Sequence, residues 1–196
     1  MPNLPAKYAY LAQEPLPPRM VQIALDMLGT LERPGEPNNS IIVQWADEVA
    51  GTCGRAYDRW AADFYNKDSI PWCGLFCAVV ATRAAQGRPD RFPPNKYLSA
   101  LAWTNWGETV SESDIQVGDV VMLIRDGGGH VFIALGVSED GHRVMGVGGN
   151  QSDAVTIAEF ASERVYAVRR PPYSAKPAGA RRVVLAAGGP VETREG

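Results

Sequence analysis

Residues 117–137 carry the sequence VGDVVMLIRDGGGHVFIALGV, in which two apolar runs flank a glycine-rich turn. Both runs are short and rich in β-branched residues, a composition typical of β-strands. The consecutive glycines between them let the chain reverse its direction. The stretch therefore predicts a hairpin, and it marks the point at which the chain changes from helical to β-rich.

Three further β-rich runs follow this hairpin, each separated from the next by a short turn. The five predicted strands are residues 120–124, 131–137, 143–147, 154–157 and 164–169. Turns this short cannot hold the crossover helix that parallel strands need. We therefore expect an antiparallel sheet of about five strands.

The part of the chain before residue 117 has helical periodicity instead. Helices are predicted for residues 19–31, for a segment after the capping residues 38–40, for the apolar stretch from Cys73, and for residues 97–106. Residues 51–70 are predicted to be irregular or weakly helical. Helices followed by an antiparallel sheet define the α+β class.

Two flanking segments differ in composition from the predicted central domain, which spans residues 19–171. Residues 1–18 contain five prolines, which disfavour a helix or an interior strand, and we expect an extended arm. Residues 172–196 are rich in Ala, Gly and Arg and are predicted to be a linker or a docking arm. Segments with so little apolar surface often order only on a partner.

The overall composition excludes several classes of protein. A content of 45% hydrophobic residues in 196 supports one packed core, and a formal net charge of -3 disfavours nucleic-acid binding. The longest apolar run, residues 72–81, is far shorter than the roughly 20 residues that span a bilayer, so no membrane insertion is expected. The first 20 residues lack the pattern of a secretory signal.

The three cysteines are an odd number without framework spacing, which indicates reduced thiols. Cys73 follows Pro71 at the predicted start of a helix, where the helix dipole favours a thiolate. We therefore take Cys73 as the candidate nucleophile, although a small buried core residue would fit the same position. Cys77, one turn later, is predicted to be a core residue, and Cys53 to be structural.

Only two histidines are available as a general base. His130 opens a predicted strand beside the glycine-rich turn, where the sheet holds it within reach of a substrate. His142 lies at a predicted hairpin tip and is expected to be solvated. Asn150, at the end of the next strand, is predicted to orient the imidazole. Gln151 and Asp153 remain alternatives, because a shift of one residue turns a strand side chain to the other face.

Further residues are candidates for substrate contact. Gly74 leaves room for a substrate carbonyl near the N–H groups of the helix start, which can form part of an oxyanion hole. Trp72 and Gln151 are grouped with Gly74 as candidate oxyanion or substrate residues. A zinc site on the two neighbouring cysteines and His130 is the alternative, but structural zinc sites usually have two close ligand pairs. No metal and no cofactor are predicted.

Three motifs stand in a characteristic order: Pro71-Trp72-Cys73-Gly74, Gly129-His130-Val131 and Gly148-Gly149-Asn150-Gln151-Ser152. With them the chain resembles the CHAP and NlpC-like cysteine peptidases, particularly a subgroup found in phages and prophages. The similarity runs from about residue 28 to residue 171. It implies a papain-like fold and hydrolysis of amide bonds in peptidoglycan peptide through an acyl-enzyme.

The resemblance also implies a role for each site residue. Cys73 matches the nucleophile of the family, His130 its base and Asn150 its third polar member. Many CHAP enzymes have a glutamate shortly before the asparagine, whereas this chain has Gly148 and Gly149 there. A neutral amide alone would then orient the histidine, which predicts modest turnover.

Two classes of function follow from the resemblance. The first is a peptidoglycan endopeptidase or N-acetylmuramoyl-L-alanine amidase, acting as an endolysin or as a tail-associated enzyme. The second is a phage tail-tip structural protein that keeps the hydrolase fold and contacts other tail proteins through its arms. The expected location is the virion tail or the host cytoplasm, with action in the periplasm or cell wall.

Overall fold

The computed structural model of the chain describes residues 4–35, 37–125 and 127–194. Its α-helices are α1 (Arg19–Asp26), α2 (Ser40–Cys53), α3 (Ala56–Phe64) and α4 (Cys73–Ala85). Its strands are β1 (Glu108–Val110), β2 (Val120–Arg125), β3 (Gly128–Ser138), β4 (Arg143–Gln151), β5 (Ala154–Ala161), β6 (Val165–Arg170) and β7 (Val184–Leu185). Short 3-10 helices cover Ala6–Ala12, Pro89–Arg91, Ala100–Asn105, Glu112–Asp114 and Ser162–Arg164.

The strands form one open sheet in the order β1-β6-β2-β3-β4-β5, with antiparallel neighbours along this path. The α+β class and the antiparallel sheet are thus confirmed, and the five predicted strands correspond to β2 to β6. The strands β1 and β7 were not predicted, because two or three residues are too few to show a strand period. β7 adds to β3 in parallel. Asp126, part of the predicted turn between β2 and β3, lies outside the described residues.

The helices before the sheet also follow the predicted pattern, with one addition. The segment predicted to be irregular or weakly helical contains α3, which begins with a capping interaction between Arg55 and Asp58. The buried carboxylate of Asp58 accepts from the backbone N–H of Arg55 at 2.8 Å and from its guanidinium. A carboxylate that satisfies the first N–H groups stabilises a helix start. Within the described residues, no helix combines the length and apolar character needed to cross a bilayer.

The sheet separates two apolar clusters, which decides where its side chains point. Helix α4 is buried over 11 of its 13 residues and packs with Val131 and Ile133 of β3 in the larger cluster. Phe132 of β3 and Phe160 of β5 belong to the smaller cluster. Alternate residues of β3 therefore face the helices and the opposite side of the sheet, as the strand period requires.

The two flanking segments fold onto the domain. The expected extended arm contains the 3-10 helix Ala6–Ala12, whose side chains Tyr8 and Leu11 are buried. The expected linker after residue 171 supplies β7 and buries Ala180 and Leu185. Each segment carries a few apolar residues that gain from burial only once the sheet is in place, so local composition did not reveal them.

One buried ion pair joins β6 to the start of β2. Asp119 is 1% exposed and accepts from Arg170 through both carboxylate oxygens, at 3.0 and 2.9 Å. It also accepts from the backbone N–H of Gln116 at 2.9 Å. Removal of one partner from such a buried pair leaves an uncompensated charge.

We predict that Asp119→Ala lowers the free energy of unfolding by about 3 kcal/mol, because the Arg170 guanidinium loses its carboxylate partner. The matched control is Asp90→Ala, which breaks the exposed pair with Arg88 and should change stability little. Urea denaturation followed by circular dichroism measures both. Equal stability of the two variants would contradict the role of the buried pair.

Candidate active site

The candidate site forms where β3 and β4 separate. Their pairing runs from Val137 with Val144 to Ile133 with Val147 and stops there, before the first residues of β3. The first turn of α4 occupies this opening, with Cys73 as its first residue. The position of the candidate nucleophile at a helix start is therefore confirmed.

Two thiols of α4 contact the backbone of Val131, the residue that follows His130. The Val131 backbone N–H faces the Cys73 thiol closely enough to lower its pKa, against the larger effect of burial. The Cys77 thiol donates to the Val131 carbonyl oxygen over 3.7 Å. The helix start thus takes the place of the missing strand pairing, which satisfies the backbone of β3 in a buried position.

His130 is fully buried on the other side of β3. Its ring packs against Phe160 and Phe132, with centroid distances of 5.4 and 6.0 Å. Its Nε2 lies 3.2 Å from the Oε1 of Gln151. The imidazole is therefore held by two aromatic rings and by one amide of β4, across the same opening that holds the first turn of α4.

The Gln151 amide has a defined orientation. Its Nε2 donates to the carbonyl oxygen of Thr156 at 2.8 Å and lies 3.2 Å from the Thr156 hydroxyl. Its Oε1 is thereby directed at His130 as an acceptor, and the His130 Nε2 must carry the hydrogen. In the neutral ring Nδ1 is then the nitrogen that can accept a proton, as a general base requires.

Gln151, and not Asn150, is thus the residue that contacts the histidine. The register between β4 and β5 shifts between Gly148 and Gln151, and Asn150 has a left-handed φ of 57°. This irregularity turns Gln151 toward His130. The Asn150 side chain is buried, and its Oδ1 has no hydrogen-bond partner among the described residues.

Thr156 is a site residue that the sequence did not single out. It fixes the Gln151 amide, but a threonine in a strand carries no signal of such a role. Asp153, the other alternative, is exposed at the turn between β4 and β5. His142 is also exposed, as expected for a hairpin tip, and its backbone N–H donates to Asp140.

Two of the three residues predicted to contact substrate, Trp72 and Gly74, pack against other parts of the chain. Trp72 is fully buried, packs against Trp45 at 5.8 Å and donates to the Glu32 carboxylate at 3.2 Å. A Cβ on Gly74 would lie 2.3 Å from the carbonyl oxygen of Tyr97. The space on the Cβ side of Gly74 is therefore filled by the backbone of residues 97 and 98.

The ionisation of Cys73 differs from the sequence-based expectation. Burial raises the pKa of its thiol, while the N–H groups of Val131 and Gly74 and the charge of Arg125 act in the opposite direction. Burial has the larger effect, because a thiolate loses more hydration than a few donors restore. Burial also raises the pKa of Cys77, to well above the usual range. The candidate nucleophile Cys73 is therefore a neutral thiol at rest.

Groups of three metal-ligating side chains do not occur in the described ranges 4–35, 37–125 and 127–194. A groove of about 550 Å³ runs along β5, and Ser152 and Thr156 line it next to Gln151.

No protein-family model matches the sequence, and a search of curated proteins finds no match either.

We predict that iodoacetamide at pH 7 modifies Cys53 before Cys73, and Cys77 last. Burial raises the pKa of both thiols, but Cys53 is only partly buried and can be reached by the reagent, whereas Cys73 is buried. The rate at Cys73 should keep rising as the pH passes the usual thiol pKa of about 8.5. Peptide mass spectrometry after timed labelling measures each site. Fast labelling of Cys73 at pH 7 would contradict the neutral resting thiol.

Proposed function

We propose that the protein is a cysteine hydrolase that cleaves amide bonds in the peptide of bacterial peptidoglycan. Cys73 is the nucleophile, His130 the base and Gln151 the orienting residue. The observation that carries the proposal is the His130–Gln151 hydrogen bond, spanning the opening that holds the first turn of α4. The order of the three motifs supports the substrate class and a phage-encoded enzyme.

The neutral thiol makes a general base necessary. As the Cys73 sulfur attacks the substrate carbonyl carbon, its proton moves to the His130 Nδ1, and a tetrahedral oxyanion forms. The imidazolium then protonates the leaving nitrogen, the C–N bond breaks, and a thioester to Cys73 remains. Water activated by the neutral imidazole hydrolyses the thioester and restores the thiol. Both proton transfers require that the bound substrate state brings the imidazole within hydrogen-bond reach of the sulfur.

Gln151 keeps the imidazole in the tautomer that this cycle needs. Its Oε1 accepts from Nε2–H, and Thr156 prevents the amide from turning over. A neutral amide stabilises the imidazolium less than a carboxylate does, so we expect modest turnover. The backbone N–H groups of Val131 and Gly74 lower the pKa of the Cys73 thiol, so they favour negative charge at the sulfur.

The second candidate is a tail structural protein without hydrolase activity. The burial of Cys73, which is 4% exposed, favours it, because a substrate must gain access to the sulfur. The sequence suggested this candidate because it predicted two free arms for contacts with other tail proteins. That argument is weaker now, because both flanking segments fold onto the domain. The hydrolase accounts better for an amide that is fixed by Thr156 and accepts from a buried imidazole.

We predict that the purified protein releases soluble peptide from peptidoglycan and that Cys73→Ala abolishes release, because the thioester cannot form. Cys53→Ala is the matched control and should retain activity. Mass spectrometry of the products distinguishes amidase from endopeptidase cleavage. Equal inactivity of the parent and both variants, all correctly folded, would favour the structural protein.

We further predict that Gln151→Ala lowers kcat about 100-fold with a smaller effect on KM, since the imidazole loses its fixed tautomer. Gln151→Glu should restore most of the activity, because a carboxylate also accepts from Nε2–H. The control is Asn150→Gly, which removes the neighbouring amide at a left-handed position that glycine tolerates. A loss of kcat in Asn150→Gly, with kcat unchanged in Gln151→Ala, would show that Asn150 is the orienting residue.

A further inference from the structure

We propose that the outer edge of β5 binds an extended peptide, and that residues 188–194 of this chain, here named the strap, occupy it as a built-in competitor. Identifying the peptide as the peptide part of peptidoglycan rests on the proposed function. The binding edge itself rests on the contacts of the strap.

The strap contacts the outer edge of β5 through one backbone hydrogen bond and one isolated bridge. β5 is the last strand along the sheet, so its outer edge carries backbone groups that β4 does not pair. The Glu192 backbone N–H donates to the Glu159 carbonyl oxygen at 2.8 Å, and Val191 forms a bridge with Glu159. At the turn before β5, the Ser152 N–H donates to the Arg194 carbonyl oxygen at 2.9 Å. Strand addition of this kind is a general mode of peptide recognition.

A buried carboxylate anchors the beginning of the strap. Glu159 is 3% exposed and pairs with Lys7 and Arg143. Its Oε1 also accepts from the backbone N–H groups of Gly188 and Gly189, at 3.2 and 2.9 Å. Arg143 in turn donates to the Gly189 carbonyl oxygen at 2.6 Å. The edge thus offers both donors and acceptors for the main chain of a peptide.

A second contact recognises a side-chain carboxylate on the bound segment. The Oε2 of Glu192 accepts from the Ser152 hydroxyl at 2.9 Å. The Arg194 guanidinium of the strap donates to the same hydroxyl, with its Nη2 3.3 Å from the Ser152 Oγ. A peptide with a carboxylate at the position of Glu192 would reproduce this contact. The ligand class is therefore an extended peptide with a carboxylate side chain at this position.

The groove beneath the strap connects this edge to the candidate site. Its volume of about 550 Å³ lies between the strap and the residues 156–159 of β5. Thr156 lines the groove and also holds the Gln151 amide, while Ser152 directly follows Gln151 in the chain. A peptide that replaces the strap would therefore lie beside the residue that orients His130. Displacement of the strap would favour substrate binding by simple competition.

The test uses the full chain and a fluorescein-labelled peptide with the sequence of residues 188–194, followed by fluorescence anisotropy. Glu192→Pro removes the N–H that pairs with Glu159 and should loosen the strap, so the peptide should bind about fivefold more tightly than to the parent, the change expected for one backbone hydrogen bond. Glu192→Ala keeps that N–H and loses the carboxylate, which accepts from Ser152 and from the backbone N–H groups of Thr193 and Arg194, so its gain in affinity should be smaller. A peptide with proline at the glutamate position should bind neither variant.

The same variants are assayed for peptide release from peptidoglycan, so that the two proposals fail separately. Tighter binding and faster release by Glu192→Pro support both the binding edge and its place in the enzyme. Tighter binding without release by any variant retains the edge and overturns the hydrolase. Unchanged or absent peptide binding to a Glu192→Pro protein whose circular dichroism matches the parent overturns the binding edge, whatever the release assay shows.

Discussion

The fit of the first turn of α4 into the opening between β3 and β4 is the constraint on which the rest of the structure depends. Glycines in β4 make this fit possible. A Cβ on Gly149 would lie 2.5 Å from the Cβ of Phe76 in α4, and one on Gly146 would lie 2.0 Å from the Phe132 ring on the opposite face. The strand therefore admits close packing from both sides, as a buried sheet with a tightly apposed helix requires.

This packing also determines the chemistry that the site can perform. Removal of the first turn of α4 from water raises the pKa of Cys73, so the helix dipole alone does not produce a thiolate. The same opening is spanned by the His130–Gln151 hydrogen bond. A buried neutral thiol suits a mechanism in which proton transfer to a base accompanies attack. A buried neutral thiol does not suit a mechanism that needs a stable thiolate–imidazolium ion pair in the resting protein.

The flanking segments belong to the same structural unit as the site. The buried carboxylate of Glu159 links Lys7 of the N-terminal segment, Arg143 of β4 and the first residues of the strap. Several charge-assisted hydrogen bonds converge on one carboxylate, which offsets the cost of its burial. The strap therefore reaches the edge of β5 near the candidate site, where a freely mobile tail would have no fixed position.

The sequence by itself determined the class of the fold and pointed to two residues of the candidate site. Strand and helix periods are local properties, so β2 to β6 and α4 followed from them, and Cys73 and His130 followed from residue type and their places at a helix start and beside a turn. Tertiary structure alone decided the rest. Gln151 replaces Asn150 because an irregularity of the β4–β5 pairing turns the strand. The thiol pKa rises because distant segments exclude water from Cys73, and the flanks fold because their few apolar side chains meet a core built elsewhere in the chain.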